Sequence, residues 1–564
     1  MSRSHRSNLR SMLALLGLAL LGLALLAAPR PAVADDAPPR LDHDAVPTAE
    51  SVSLTCDPEK ADYSGTVTVM LKVIQPTDVL RFHARALTID EAALQSSEAQ
   101  WPLDAEGGSS SKSVTPSSIE PLAPDQVQLR FASPIAPGPY TLTMKFHNAF
   151  NTRAVSLYKV VTGGHAYLFT QFEDTEAREA FPCWDEPAFK IPWQLTLHVP
   201  SADLAVSNTP IASETPAGEM KAVVFKPTQP LPSYLIAIAV GPFDSMDIPG
   251  MGVPGRVITV KGASAMAADA AGASGPLLKS LERYFGRPYP YEKLDLIAAP
   301  EFLYGAMENA GAIVFADRAL LLNTATASAE QRNRVFSTMA HEMAHQWFGD
   351  LVTMYWWDDL WLNESFATWM SNKVMDDVYP QDREGIGALF SVQRAFTTDS
   401  RPSTRAMRGK IVGAVSLGET ASELTYNKGG AVLTMFEGWV GPDKFRAGVL
   451  DYLKAHQWAN AEGRDLWLAI GRQSGENIDA AMASFLDQPG VPLITLESAG
   501  GGKLKITQHR FLTVGDPGPD EPRWRIPVIL RYPTGSTVGT RRVWLTGADT
   551  IADLGVPSLP AWIM

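Results

Sequence analysis

Cysteine is nearly absent: Cys56 and Cys183 are the only two in 564 residues. A disulfide-stapled scaffold is therefore excluded, and there is too little thiolate for a closed, cysteine-rich structural zinc site. Basic charge is also scarce, with 48 Lys and Arg against 61 Asp and Glu, a formal net charge of −13. Without the four arginines of residues 1–34, 44 basic side chains face 61 acidic ones, a net charge of −17. Such a surface repels nucleic acid and serves solubility. Long apolar runs are missing after residue 28. The run 12–28 spans 17 residues, whereas a membrane span needs about 20. Arg3, Arg6 and Arg10 precede it and Ala32-Val33-Ala34 follows, the pattern of an export signal cleaved before Asp35. An uncleaved anchor is the competing reading. The expected location is periplasmic or secreted, with no stable membrane span once the signal is removed.

The remaining 530 residues are too many for one core at about 100–200 residues per domain, and no internal repeat or long low-complexity tract breaks them up. Residues 35–248 carry strand-like runs, among them 66–71, 193–199 and 234–240, separated by turn-rich breaks such as Gly107-Gly108-Ser109-Ser110-Ser111. An all-β domain is expected there, with residues 107–111 as a surface loop, not a phosphate cradle. From 249 to 490 the periodicity turns helical, over 263–285, around residue 341, over 360–378, and over 428–456 with a break near Gly441. Strand-like runs return after 490, at 503–511, 524–532 and 541–545, and predict a small β domain over 491–564.

The most informative stretch is His341-Glu342-Met343-Ala344-His345, with Glu364 nineteen positions beyond His345. On a helix the two histidines share one face a turn apart, so both imidazoles reach one metal while Glu342 sits beside the open coordination position. Val335, Phe336, Met339, Ala340, Ala344 and Trp347 alternate with polar positions as in a half-buried helix, which Gly349 and Asp350 end. The apolar run 360–370 predicts a second helix that returns Glu364 as third ligand. Three protein ligands and an open position are a catalytic arrangement. Zinc, one ion per chain, is the expected cofactor, although ligand preference alone does not separate it from its first-row neighbours. Asp350 and Asp359 each read either as an acceptor for a ligand imidazole or as a turn residue.

Gly305-Ala306-Met307-Glu308-Asn309 precedes the histidines, with 31 residues between Asn309 and His341. With the HExxH-x18-E pattern it resembles the aminopeptidase N-like zinc metallopeptidases, whose exopeptidase signature is GxMEN. Further similarities are Thr170-Gln171-Phe172-Glu173, Phe181-Pro182-Cys183-Trp184-Asp185-Glu186-Pro187-Ala188-Phe189, Tyr426-Asn427-Lys428-Gly429 and Asp487-Gln488-Pro489-Gly490. The resemblance implies a multidomain α+β fold: an N-terminal β saddle over 35–248, a thermolysin-like, mainly α catalytic domain over 249–490, and a β-sandwich over 491–564. Many relatives continue into a helical domain that covers the active site, so the chain reads as a short form or as a fragment with an incomplete sandwich. Cys183, inside the FPC segment, resembles a small buried residue, and two free thiols are favoured over a Cys56–Cys183 bridge.

The resemblance also implies roles. Glu342 is general base and then acid, and Tyr426 is the donor to the developing oxyanion. Glu308 and Glu173, with Gln171 beside them, bind the substrate ammonium, and the Gly305-Ala306 backbone pairs with the peptide as an added strand. Met307 and Asn309 complete the expected substrate-binding set. Ala310, where relatives often carry a bulkier residue, is expected to widen the first side-chain pocket. The reading is an exported zinc aminopeptidase acting on peptides with a free N-terminus. A thermolysin-like endopeptidase, a non-catalytic peptide-binding relative and an epoxide hydrolase are the alternatives. Oligomeric state and preferred N-terminal residue stay open.

Overall fold

The first half of the chain alternates apolar and polar residues, and the pleat converts that alternation into two-sided strands. In Asp62–Val73 the side chains of Tyr63, Val67, Val69, Leu71 and Val73 are buried while their neighbours are more exposed. The computed structural model describes residues 40–96, 101–102, 113–122, 125–382, 384–409, 411, 422–516 and 521–564. The expected signal at 1–34 and the expected loop at 107–111 lie outside these.

Asp62–Val73 sits between Ala45–Thr55 and Gly138–Ala149 in an eight-stranded sheet, in which Ala45–Thr55 also runs parallel to Trp193–Pro200. A four-stranded sheet joins Ser156–Thr162, His165–Gln171, Ile238–Gly241 and Leu204–Ser207. The strand His165–Gln171 ends where Glu173 begins its loop, so register in this sheet sets where that carboxylate emerges. The run 234–240 is not one strand. Ser233–Leu235 forms a 3-10 turn before Ile238–Gly241, because the Ser233 hydroxyl donates to Asp185 (2.5 Å) and the Ile236 N–H folds back to the Ser233 carbonyl.

The helices appear where periodicity places them: Ala268–Phe285, Ala329–His345, Trp361–Val378, Gly429–Val440 and Pro442–His456, the last two divided at Gly441 with φ +93°. Periodicity did not announce a five-stranded sheet whose strands stand on either side of the first helix in the chain. Its order is Asp244–Asp247, Gly255–Thr259, Leu294–Ala299, Ala312–Ala316 and, at the edge, Ala306–Met307. Its central strands are buried on both faces, so Ala312–Ala316 reads as a continuous apolar run and Leu294–Ala299 as one broken only by Asp295.

This sheet joins two cores. Ile258, Ile297, Ala299 and Val314 on one face belong to the apolar core of the N-terminal β region. Val257, Leu296, Ala298, Ile313 and Phe315 on the other belong to the core of the helices. The C-terminal strands form one antiparallel sheet of Val491–Gly500, Lys503–Phe511 and Asp549–Asp553 and a hairpin of Ile526–Thr534 with Thr537–Leu545. Leu504, Ile506, Trp524 and Leu545 extend the helical core into them. The fold is thus multidomain α+β: β-rich at the start, helical at the centre and stranded at the end. Cys56 and Cys183 are buried free thiols. No helix among the described residues is long and apolar enough to cross a membrane.

At the seam between the two cores, Asn208 donates from Nδ2 to the carbonyls of Leu235 (2.8 Å) and Ala310 (2.9 Å) and accepts at Oδ1 from the Ala237 N–H. Gly311 lies against it with φ +70°, and a Cβ there would stand 2.4 Å from the Asn208 carbonyl oxygen. Left-handed backbone costs an L-residue about 1–2 kcal/mol, and the obstacle here is rigid backbone. Gly311→Ala is expected to lower stability by at least about 2 kcal/mol, read as the shift in urea unfolding.

Candidate functional site

The HExxH helix, Ala329–His345, is started by a capping box. The Gln331 N–H donates to the Ser328 hydroxyl (3.1 Å) and the Ser328 N–H to Gln331 Oε1 (2.8 Å). Its last turn carries His341, Glu342 and His345. The chain then turns through Gly349, passes a 3-10 turn at Trp357–Asp359 and enters Trp361–Val378, whose first turn holds Glu364. The turn is fixed by Asp359, whose carboxylate accepts from Trp361 Nε1 (2.7 Å) and the Gly463 N–H (2.9 Å). Asp359 is thus a structural acceptor with no hydrogen bond to a ligand imidazole.

These helices bring His341, His345 and Glu364 to one point. The two Nε2 atoms lie 3.0 Å apart, and Glu364 Oε2 lies 3.1 Å from His341 Nε2 and 3.4 Å from His345 Nε2. Donors around a tetrahedral metal at roughly 2.0–2.1 Å stand about 3.3 Å apart, so the triangle has the size of one face of such a site. Its ring orientation also fits. His345 Nδ1 faces the Phe348 carbonyl at 3.0 Å, so its N–H donates there and its Nε2 lone pair turns to the triangle. The carboxylate of Asp350 is buried with neither oxygen hydrogen-bonded, and it is the Phe348 carbonyl, not Asp350, that orients His345.

Carboxylates crowd the centre. One oxygen each of Glu308 and Glu342 and one nitrogen of His345 lie within 4.8 Å of one another, as do oxygens of Glu173, Glu308 and Glu364. Burial pushes Glu342 well above the ordinary carboxylate range, with Glu308 and Glu364 adding to it and His345 opposing. Burial also raises Glu173, with Glu308 and Glu364 reinforcing it, and raises Glu308 against the pull of His345. Burial would raise Glu364 too, but His345 and His341 outweigh it and hold Glu364 low. Four carboxylates thus share this space with two imidazoles.

The triangle opens into a cavity of about 1080 Å³. Glu173, Gly305, Ala306, Glu308, Glu342 and Tyr426 line it. Ala306–Met307 is the edge strand of the five-stranded sheet, and Ala306 lies on the cavity wall. Tyr426 rides on a single π-helical turn, Leu424–Lys428, with its ring 5.9 Å from that of His341. That turn is anchored from behind: the Lys428 ammonium pairs with Asp399 (2.8 Å) and donates to the Gly490 carbonyl (3.1 Å), and the Gly490 N–H donates to Asp399 (2.9 Å). Two sequence motifs therefore meet at Asp399.

Three expected substrate-binding residues stand back from the cavity wall. Gln171 is buried, with its Nε2 toward Met307 Sδ (3.8 Å) and its Oε1 without a partner. Met307 is buried in the N-terminal core. Asn309 donates to the Ile236 carbonyl (3.3 Å) and ties the loop to the N-terminal region. Ala310 is also a core residue, so its small size does not widen the cavity. Sequence reasoning missed Gln346. Its Nε2 donates to the Glu308 carbonyl (2.7 Å), and its Oε1 accepts from the Gly311 N–H (3.0 Å) and the Tyr289 hydroxyl (3.0 Å). It clamps the 305–311 loop onto the metal helix. The only signal was a polar side chain placed between His345 and the buried Trp347.

Comparison with known proteins agrees with this geometry. The peptidase M1 N-terminal domain matches residues 46–235 and the peptidase family M1 domain matches residues 270–485. Aminopeptidase M1-C of Oryza sativa subsp. japonica is 34% identical over 516 residues, 89% of this chain and 56% of its own length. Aminopeptidase M1 of Arabidopsis thaliana is 33% identical over 498 residues, 87% of this chain and 55% of its own. A leucyl aminopeptidase of Saccharolobus solfataricus is 36% identical over 365 residues, 64% of this chain and 46% of its own. The chain spans about half the length of the curated relatives it matches. With both halves of the family's domain pair matched in order around the His341–His345–Glu364 triangle, the chain belongs to peptidase family M1.

Proposed function

We propose that the protein is a zinc-dependent aminopeptidase that releases N-terminal residues from peptides. The observation that carries this reading is the placement of Glu308 and Glu173 beside a metal-sized triangle. Carboxylates held a few ångströms from a hydrolytic centre leave room for an ammonium group and one residue, which is the geometry of an exopeptidase.

His341, His345 and Glu364 would hold the zinc, which supplies Lewis acidity to a carbonyl oxygen and acidity to water. Glu342 takes the proton of the attacking water and passes it to the leaving amine. Tyr426 donates from its hydroxyl to the carbonyl oxygen as negative charge grows there. Glu308 and Glu173 accept from the substrate ammonium, which fixes the first peptide bond over the centre. The free outer edge of Ala306–Met307 offers backbone groups to the extended peptide.

Glu342→Gln is expected to keep one zinc per chain by metal analysis and to lose turnover by about 10²–10⁴. Retained turnover in the zinc-loaded variant would overturn the mechanism. Glu308→Ala tests the amine pocket with one peptide and its N-acetylated twin. Wild type should cleave the free peptide strongly in preference, and the variant should lose most of that preference at a cost of about 1.5–3 kcal/mol in kcat/KM, with zinc retained. Equal cleavage of both peptides by wild type would point to an endopeptidase.

Export is part of the proposal and is supported by the basic, apolar and small-residue pattern of residues 1–34. Intact mass of the protein from its native host should show a chain beginning at Asp35. A chain retaining residues 12–28 in the membrane fraction would favour the anchor.

A further inference from the structure

The segment Phe181 to Phe189 stood out in the sequence, yet none of its residues reaches the cavity. It folds as a plug on the N-terminal region. The Cys183 N–H and carbonyl exchange hydrogen bonds with His83 (3.1 and 2.9 Å), Asp185 accepts from Arg178 (2.8 Å), and Glu186 accepts from the Leu41 N–H (2.6 Å). Its residues are buried except for Ala188, which is partly so, and Lys190 follows directly after it.

Lys190 Nζ crosses to the back of the metal helix. It donates to the carbonyls of Asp350 (2.8 Å) and Leu351 (2.9 Å) and to the Thr353 hydroxyl (3.0 Å), and the Ala459 carbonyl is 3.3 Å away. Asn460 reinforces the contact by donating to the carbonyls of Pro187 (2.8 Å) and Met354 (3.1 Å). The oxygens around the ammonium come from the turn that follows His345 and from the short parallel pairing of Val352–Met354 with Ala459–Ala461. Backbone carbonyls buried in this way cannot be left without a donor.

The same turn carries the acceptor for the metal helix. The Asp350 N–H donates to the His345 carbonyl (3.0 Å), the Gly349 N–H donates to the Val352 carbonyl (2.9 Å), and the Phe348 carbonyl takes the N–H of His345 Nδ1. Gly349 has φ +132°, and a Cβ there would stand 3.3 Å from His345 Nδ1. The turn has no spare room in which to settle elsewhere without moving that imidazole.

We propose that Lys190 is a positioning residue for His345. From the N-terminal region it holds the Asp350–Thr353 turn by its oxygens, and so keeps the Phe348 carbonyl where it orients the His345 ring with Nε2 toward the metal. The proposal rests on the zinc reading above, and its test separates the two.

The experiment compares full-length wild type, Lys190→Met, Thr353→Val and Leu197→Ala. Zinc affinity is read by competition with a chromophoric chelator, the thermal midpoint is read on the metal-free protein, and kcat and KM are read separately. Lys190→Met keeps the length of the side chain and removes its donors. It should weaken zinc binding on the order of 10–100-fold, the usual cost of losing support behind a ligand imidazole. KM for the free peptide should change little. Thr353→Val removes one acceptor of Lys190 together with the hydroxyl's own donation to the Gly349 carbonyl (2.5 Å), so it loosens the same turn from a second side and should also weaken zinc binding, which keeps the test available if Lys190→Met does not fold. Leu197→Ala thins the N-terminal core, in which Leu197 is fully buried, whereas Leu351 and Val352 of the turn belong to the other core; it should lower the thermal midpoint without loosening zinc. Unchanged zinc affinity in folded Lys190→Met, or in Thr353→Val where Lys190→Met does not fold, would overturn the proposal, as would equal loosening by Leu197→Ala. Wild type that binds no zinc would instead sink the functional reading on which it stands.

Discussion

The constraint on which the structure turns is buried negative charge. Glu173, Glu308, Glu342 and Glu364 converge on a space in which His341 and His345 are the basic partners. Carboxylates removed from water are costly unless a cation or a proton meets them. In the protein alone burial raises Glu173, Glu308 and Glu342 above the ordinary carboxylate range, and the imidazoles offset part of the cost. A divalent ion at the triangle and an ammonium group between Glu308 and Glu173 would meet it better. That difference is a reason for both to bind. The helices and loops around the centre serve to keep these like charges from moving apart.

Holding them takes elements from three regions. Glu173 emerges from a strand of the N-terminal sheet, Glu308 from the loop beside an edge strand of the shared sheet, and Glu364 from a helix whose start is fixed by Asp359 and Gly463. Tyr426 depends on Lys428 and Asp399, which in turn grip Gly490 at the entrance to the C-terminal strands. Gln346 and Asn208 hold the 305–311 loop from its two sides. Each support is a side chain bonded to backbone carbonyl or N–H groups, which suits positions that must not drift.

Of the candidate metal ligands, His341 and His345 were legible in the sequence because their spacing is set by a helix turn, a local property, whereas Glu364 on the next helix was legible only through the longer HExxH-x18-E pattern. The strands of the N-terminal region were legible where one face is wet and the other dry, as in Asp62–Val73. Leu294–Ala299 and Ala312–Ala316 gave no such sign, since both their faces are dry, and Tyr234 sat in an apolar run that hydrogen bonds from Ser233 bent into a turn. The inward position of Met307 and Asn309, and the role of Gln346, depend on contacts between segments far apart in the chain. No local pattern encodes those. Ala310 shows the same limit, because a small residue beside a motif reads as space until its neighbours are known.

The sheet shared by the two cores makes the cavity wall jointly owned. Its floor of helices belongs to one core, while Glu173 and the seat of the 305–311 loop belong to the other. Glu173, Gly305 and the helices all line the cavity, so a peptide's first side chain bound there would touch surfaces from both. On the proposed aminopeptidase reading, selectivity at that position would be a property of the pair, and grafting the helical region onto a foreign N-terminal partner would carry His341, His345 and Glu364 across but leave the reading of the first residue behind.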